Sequence, residues 1–166
     1  SHSIPEKVKH SIYELVNSTN LDKENLKALD IDLGEIFAEA VNELLIQEGV
    51  SSKTIQAIGS HGQTIKHSPN LPVPFSLQIG NAQLLANLTG IRTVSDFRSD
   101  DISAGGQGAP ITPIFNNHVF SSDNKRVIIN IGGIANITLL DHATYTVGYD
   151  TGPGNCLMDS WIREND

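Results

Sequence analysis

Cysteine occurs once in 166 residues, at Cys156, so no intrachain disulfide can form, which fits a reducing cytoplasm. Positive charge is scarce as well: 11 Lys and Arg stand against 19 Asp and Glu, a formal charge of −8. That balance argues against a nucleic-acid partner and against an anionic membrane surface. An anionic substrate must then be met by local donors rather than by the field of the whole chain. No apolar run approaches the roughly 18 to 20 residues of a membrane span, and the first residues show no signal-peptide pattern. No His, Cys and Asp spacing has the look of a dedicated zinc site, and His67 and His118 stand without supporting context. With 39% apolar and 18% charged residues the composition is globular, and the length suffices for a real core.

What is there is concentrated in one stretch, Val127 to Asn155. Val127–Ile131 is a short apolar run closed by Gly132-Gly133, and Ile134 to Leu140 resumes the apolar, β-branched pattern, so the two read as a tight hairpin. The glycines fit either an ordinary hairpin turn or a nest whose N–H groups receive an anion, with the amides of Asn130 and Asn136 beside it. Tyr145 to Tyr149 reads as a third strand, and Asp150-Thr-Gly-Pro-Gly-Asn155 then leads into an amphipathic segment from Cys156 to Ile162. An acid at a strand's end beside a helix N-terminus sits where α/β folds place reactive groups, although Asp150 by itself fits a turn cap equally well. Cys156 reads as a small buried residue on the helix face.

The chain before this stretch alternates helices with short strands, the pattern of an α/β fold. A capping-box spacing at Ser3 and Glu6, with Ile4, Val8, Ile12, Leu15 and Val16 at helical intervals, predicts a first helix of about 14 residues. A second follows Asp22 with Leu33, Ile36, Phe37, Ala40, Val41, Leu44 and Leu45 on one stripe, stopping at Gly49, and its acids read as a solvated face. Strands are expected at Thr54 to Ile58, Phe75 to Ile79 and Arg92 to Phe97, with a short helix around Ala82 to Leu88 and another from Pro110 to Phe120. His61, in Gly59-Ser-His-Gly-Gln-Thr64, reads either as a hydrogen-bonded structural residue or as a ligand contact exposed by its glycines, with Gln63 nearby. Asp96 and Arg98 read either as a local ion pair or as a site in which the guanidinium grips a carboxylate or phosphate. Asp100, Asp101 and a flexible Ala104-Gly-Gly-Gln-Gly-Ala-Pro110 follow.

Taken together, Ala57-Ile-Gly-Ser-His-Gly-Gln-Thr64, Leu77-Gln-Ile-Gly-Asn81, Ser95-Asp-Phe-Arg98, Ala104 to Pro110, Asn130-Ile-Gly-Gly133 and Gly148-Tyr-Asp-Thr-Gly-Pro-Gly-Asn155 resemble one family closely. It is that of the anhydro-N-acetylmuramic acid kinases, bacterial enzymes of cell-wall recycling. The resemblance runs from about Ile55 to Trp161. It implies the actin/hexokinase/Hsp70-like, ribonuclease H-like fold, two related α/β domains with ATP and sugar in the cleft between them. On that reading residues 1–120 are the rear of the first domain, on the sugar side, and 121–166 open the second, and the fold is incomplete at both ends. The family's opening Gly-Thr-Ser/Met-Asp-Gly type turn and its adenosine-binding end are both missing, so the 166 residues alone are expected to be catalytically silent.

The resemblance further implies ATP with Mg²⁺, an amino-sugar substrate, a cytoplasmic location and a homodimer for the full-length enzyme. It gives Asp150 the role of general base toward the water that opens the 1,6-anhydro bridge, while the freed O6 takes the γ-phosphoryl group. His61, Gln63, Asp96, Arg98, Gly152 and Asn155 are the implied sugar contacts, and Asn130, Gly132, Gly133 and Asn136 the implied phosphate contacts. The Mg²⁺ ligands stay unassigned, since that ion keeps most of its waters and needs no cage. Two further readings stand beside this one. One is a nucleotide-dependent binding protein of the same fold in which Asp150 is structural. The other is a glycosidase that pairs Asp150 with Asp96.

Overall fold

The structure, a computed structural model, describes residues 2–141 and 145–165. It is mixed α/β and falls into two compact units, Ser1–Ser103 and Ala104–Asp166.

The first unit begins with α1 (Glu6–Asn17) and α2 (Lys23–Gln47). The capping box is not formed. Pro5 holds the cap position of α1 with no side-chain bond, and its carbonyl accepts from both Val8 and Lys9 N–H, at 2.9 and 3.1 Å. Asp22 caps α2 through Glu24 N–H at 2.9 Å, as aspartate at that position favours. Leu29 and Leu33 of α2 pack with Leu15 of α1 and with Ile65 and Ile79, giving the unit an aliphatic core. The stripe expected along α2 holds at Leu33 and fails toward the C-terminus, where Leu44 is 56% exposed.

Those last two core residues come from an antiparallel hairpin of β2 (Gln63–Ser68) and β3 (Phe75–Ile79). β3 has the range expected of it, whereas β2 carries one aliphatic residue among polar ones and gives no alternating signal. An irregularity between Thr64 and Lys66 lets Ile65 enter the core, while Lys66 Nζ donates to the carbonyls of Val16 and Ser18 at 3.1 and 2.7 Å. Thr54 to Ile58 is no strand. Ser51 and Thr54 bond to nearby backbone and hold a short 3-10 turn at Ser52–Thr54, the usual way hydroxyl side chains compete with a ladder.

Only β1 (Ile58–Gly59) extends there, and it pairs in parallel with β4 (Thr93–Val94). Between them in sequence lies α3 (Ala82–Thr89), and α4 (Phe97–Ser103) follows β4 where a strand was expected to run on to Phe97. Asp96 explains the early stop. Its φ of 64° is outside the extended region, and its carbonyl accepts from Asp100 N–H at 3.3 Å, which turns the chain into α4.

The second unit contains α5 (Thr112–Phe120), β5 (Arg126–Ile131), β6 (Ile134–Asp141), β7 (Tyr145–Pro153) and α6 (Cys156–Asn165), with the three strands antiparallel in the order β5-β6-β7. The units divide at Ser103/Ala104 rather than near residue 120, because α5 packs on this sheet. Buried Asn116 donates to Thr138 Oγ1 at 2.8 Å, and Pro113 occupies the space beside Gly148 where a Cβ would otherwise stand.

Candidate functional site

In the first unit, His61, Gly62, Asp30, Gln78, Gly80, Asn81 and Asp96 help line an open polar pocket of about 350 Å³. His61 is held at both ring nitrogens. Arg98 Nε approaches Nε2 at 2.8 Å, and Nδ1 lies 2.8 Å from the Gly62 carbonyl. A guanidinium only donates, so Nε2 is the acceptor and Nδ1 carries the hydrogen that Gly62 accepts. Of the two readings of Asp96 and Arg98, a local ion pair or a guanidinium left to grip an anion, neither foresees that Arg98 Nε donates to His61. Gly62 itself, at φ 71°, would bring a Cβ within 2.5 Å of the Ile79 carbonyl oxygen, so the chain can pass there only as glycine. Gln63 lies at the start of β2 with Nε2 on the Thr64 carbonyl at 3.1 Å, and it is not among the pocket-lining residues.

Asp30 corrects the reading of the α2 acids as a solvated face. Its carboxylate takes Gly80 N–H at 2.8 Å and Asn81 Nδ2 at 3.0 Å, and its carbonyl takes Asn81 N–H at 3.0 Å. Asn81 Oδ1 in turn accepts from Leu84 N–H at 2.9 Å and starts α3. The Leu77-Gln-Ile-Gly-Asn81 word is therefore a clamp that fixes one wall of the pocket to α2. A lone aspartate among the many acids of a long helix carries no signal of this, because its partners are some 50 positions away.

In the second unit, strand register decides which side chains meet. Asn130 pairs with Asn136 across β5 and β6, and Asn136 pairs with Asp150 across β6 and β7. Directly paired residues of antiparallel strands project to one face, so the three form a single polar row. Two residues along on the same face is buried Thr138, bonded to Asn116; Asp150 and Asn130 are exposed. The row thus stands where the cover given by α5 ends. Ala135 pairs with Gly152 while Asn136 pairs with Asp150, which leaves Thr151 as an extra residue, its Oγ1 on the Ala135 carbonyl at 3.0 Å. Such a bulge bends a strand and re-aims its side chains, here just after the acid. Asp150 lies inside β7, not in the turn beyond it, and the turn-cap reading loses its geometric basis.

The glycine-rich segments meet one another. Gly154 N–H donates to the Gly133 carbonyl at 2.8 Å, Asn155 N–H to the Gly132 carbonyl at 2.7 Å, and Cys156 N–H to the Gly133 carbonyl at 3.3 Å. Three amides at the start of α6 are thus engaged by the hairpin. Asn155 Nδ2 also reaches the Ile131 carbonyl at 3.4 Å. Of the two expected among sugar contacts, Asn155 is therefore bonded to Gly132 and Gly152 pairs with Ala135, both in the unit that carries Asp150. Cys156 is a free, half-buried cysteine. Among the described residues no group of three or more His, Cys, Asp or Glu is placed to hold a metal ion, and no helix is long and apolar enough to cross a membrane.

The family model described as anhydro-N-acetylmuramic acid kinase matches residues 1–166. The chain belongs to the anhydro-N-acetylmuramic acid kinase family. Curated relatives carrying that name include one from Saccharophagus degradans, 48% identical over 169 residues with 99% of this chain and 46% of the relative covered. A Shewanella amazonensis relative is 46% identical (99% of this chain, 45% of the relative), and one from Coxiella burnetii is 48% identical (98% and 44%). The chain spans somewhat under half the length of these kinases.

Proposed function

We propose that the full-length protein is an ATP-dependent anhydro-sugar kinase of cell-wall recycling, opening the 1,6-anhydro bridge of 1,6-anhydro-N-acetylmuramic acid with water and phosphorylating O6 to give N-acetylmuramic acid 6-phosphate. The observation that carries this reading is the row of Asn130, Asn136 and Asp150 beside the Gly132-Gly133 turn. Asp150 removes a proton from the attacking water, whose oxygen bonds to the anomeric carbon as the bond from that carbon to O6 breaks. O6 then takes the γ-phosphoryl group, and ADP leaves. Asn130 and Asn136 offer amide groups to the phosphates, and the small glycine turn lets them come close.

The oxygens of the row are hard donors of the class Mg²⁺ takes, so the donor set fits an ion held mainly by phosphate and water. Bound there, it would supply charge neutralisation at the transferred group. The wider architecture we propose is the two-domain ribonuclease H-like kinase fold, acting in the cytoplasm as a homodimer.

Turnover in H₂¹⁸O is the test. The label is expected on the anomeric hydroxyl of the product and absent from its phosphate. ADP released without a phosphosugar, or sugar opened without ATP, would remove the proposal.

His61 and Arg98 provide a second check. Alanine at either is expected to raise the KM for sugar more than that for ATP, because Arg98 acts on the pocket through His61 and loss of uniform binding appears in KM. Steady-state kinetics with each substrate varied in turn decides it; a selective rise in the ATP KM would reverse the assignment.

A further inference from the structure

We propose that Gln78 is a specificity-determining residue, its side-chain carbonyl oxygen accepting a hydrogen bond from an O–H or N–H of the bound sugar. This rests on the functional reading above.

The β2-β3 hairpin has two unlike faces. Ile65 and Ile79 turn into the aliphatic core, and Leu77 packs against it. The other face is polar, with Thr64 paired with Gln78 and His67 with Ser76. Gln78 Nε2 donates to Thr64 Oγ1 at 3.2 Å and to Ser76 Oγ at 2.8 Å, while His67 Nδ1 meets the same Ser76 hydroxyl at 3.1 Å. An amide nitrogen has two hydrogens, and both are committed. The Ser76 hydroxyl has one hydrogen: with that hydrogen donated to His67 Nδ1, the hydroxyl can only accept from Gln78 Nε2, and the planar amide then turns Oε1 away from both hydroxyls.

Gln78 lines the same pocket as His61 and Asp96. The hydroxyls of Ser60, Ser95 and Ser99, also in the lining, can rotate to donate or accept. A carbonyl fixed by two bonds can only accept. It therefore discriminates: a ligand lacking the matching donor leaves a desolvated acceptor unpaired, the situation in which polar sites reject analogues most strongly. An anhydro-N-acetylamino sugar carries both kinds of donor, ring hydroxyls and an acetamido N–H.

The experiment uses the full-length protein with 1,6-anhydro-N-acetylmuramic acid, ring-deoxy analogues, and an analogue with oxygen in place of the acetamido N–H. Gln78→Leu is expected to raise the sugar KM by roughly tenfold to a hundredfold, with the ATP KM and the melting temperature unchanged. Gln78→Glu keeps an acceptor toward the pocket and should recover much of the loss. One analogue, marking the donor that is read, should bind the wild type poorly and lose nothing further on the Leu variant. Should Gln78→Leu fail to fold, Gln78→Met, which keeps the length without the acceptor, takes its place. An unchanged sugar KM in a folded variant, or additive losses with every analogue, would overturn the role of Gln78. A wild-type protein that leaves the anhydro sugar untouched would count instead against the proposed function.

Discussion

Asp150→Asn in the full-length protein should lower kcat by roughly 10² to 10⁴, the usual cost of losing a positioned general base, while sugar affinity stays near its wild-type value. The substitution is nearly isosteric, and the backbone of residue 150 is held by its place opposite Asn136 in β7, so the amide should occupy the carboxylate's position. What it loses is the capacity to take a proton. Binding is measured by calorimetry with the anhydro sugar and turnover by phosphosugar formation. A variant with near-normal kcat removes Asp150 from the chemistry. A variant that loses sugar binding and turnover together makes the residue a contact rather than a base.

Glycines of the two joined turns should respond in opposite ways. A Cβ on Gly154 would run into the Gly132 carbonyl oxygen and stand 3.3 Å from Ala135 N, and both are backbone atoms that cannot swing aside. Gly154→Ala must therefore separate the turns and break the 2.8 and 2.7 Å bonds that join them. Overpacking of this kind costs about 1–3 kcal/mol, and because α6 and the end of β7 move with the turn, kcat should fall with stability. Gly133→Ala is the contrast. Its Cβ would have Cys156 Cβ as nearest neighbour at 3.9 Å, an ordinary contact, and the residue is outside the left-handed region. The fold does not need glycine there, so its methyl should spare the melting temperature and raise the KM for ATP by crowding an approaching phosphate. Equal melting temperatures for the two variants would contradict the geometry at Gly154. An unchanged ATP KM in Gly133→Ala would take the phosphates elsewhere.

Much of the second unit was legible in the sequence because its information is local. Val127–Ile131 and Ile134 to Leu140 are apolar, β-branched runs on either side of a glycine pair, and the hairpin appears within a residue of those limits. Phe75 to Ile79, α3 and the stop of α2 near Gly49 were equally readable from short-range chemistry. Tertiary structure decided what depends on partners far along the chain. Register alone brought Asn130, Asn136 and Asp150 into one row, since a slip of one residue would send each of them to the opposite face. A bond across 37 positions ties Arg98 to His61, and contacts across about 50 positions turned Asp30 from a surface acid into the clamp of the pocket wall. The amides before α6, free by any local reading, were claimed by carbonyls of a turn more than 20 residues earlier. Patterning along the chain determines which residues are available to the chemistry. Pairing between distant segments determines which of them meet, because hydrogen bonds are satisfied in space rather than in sequence.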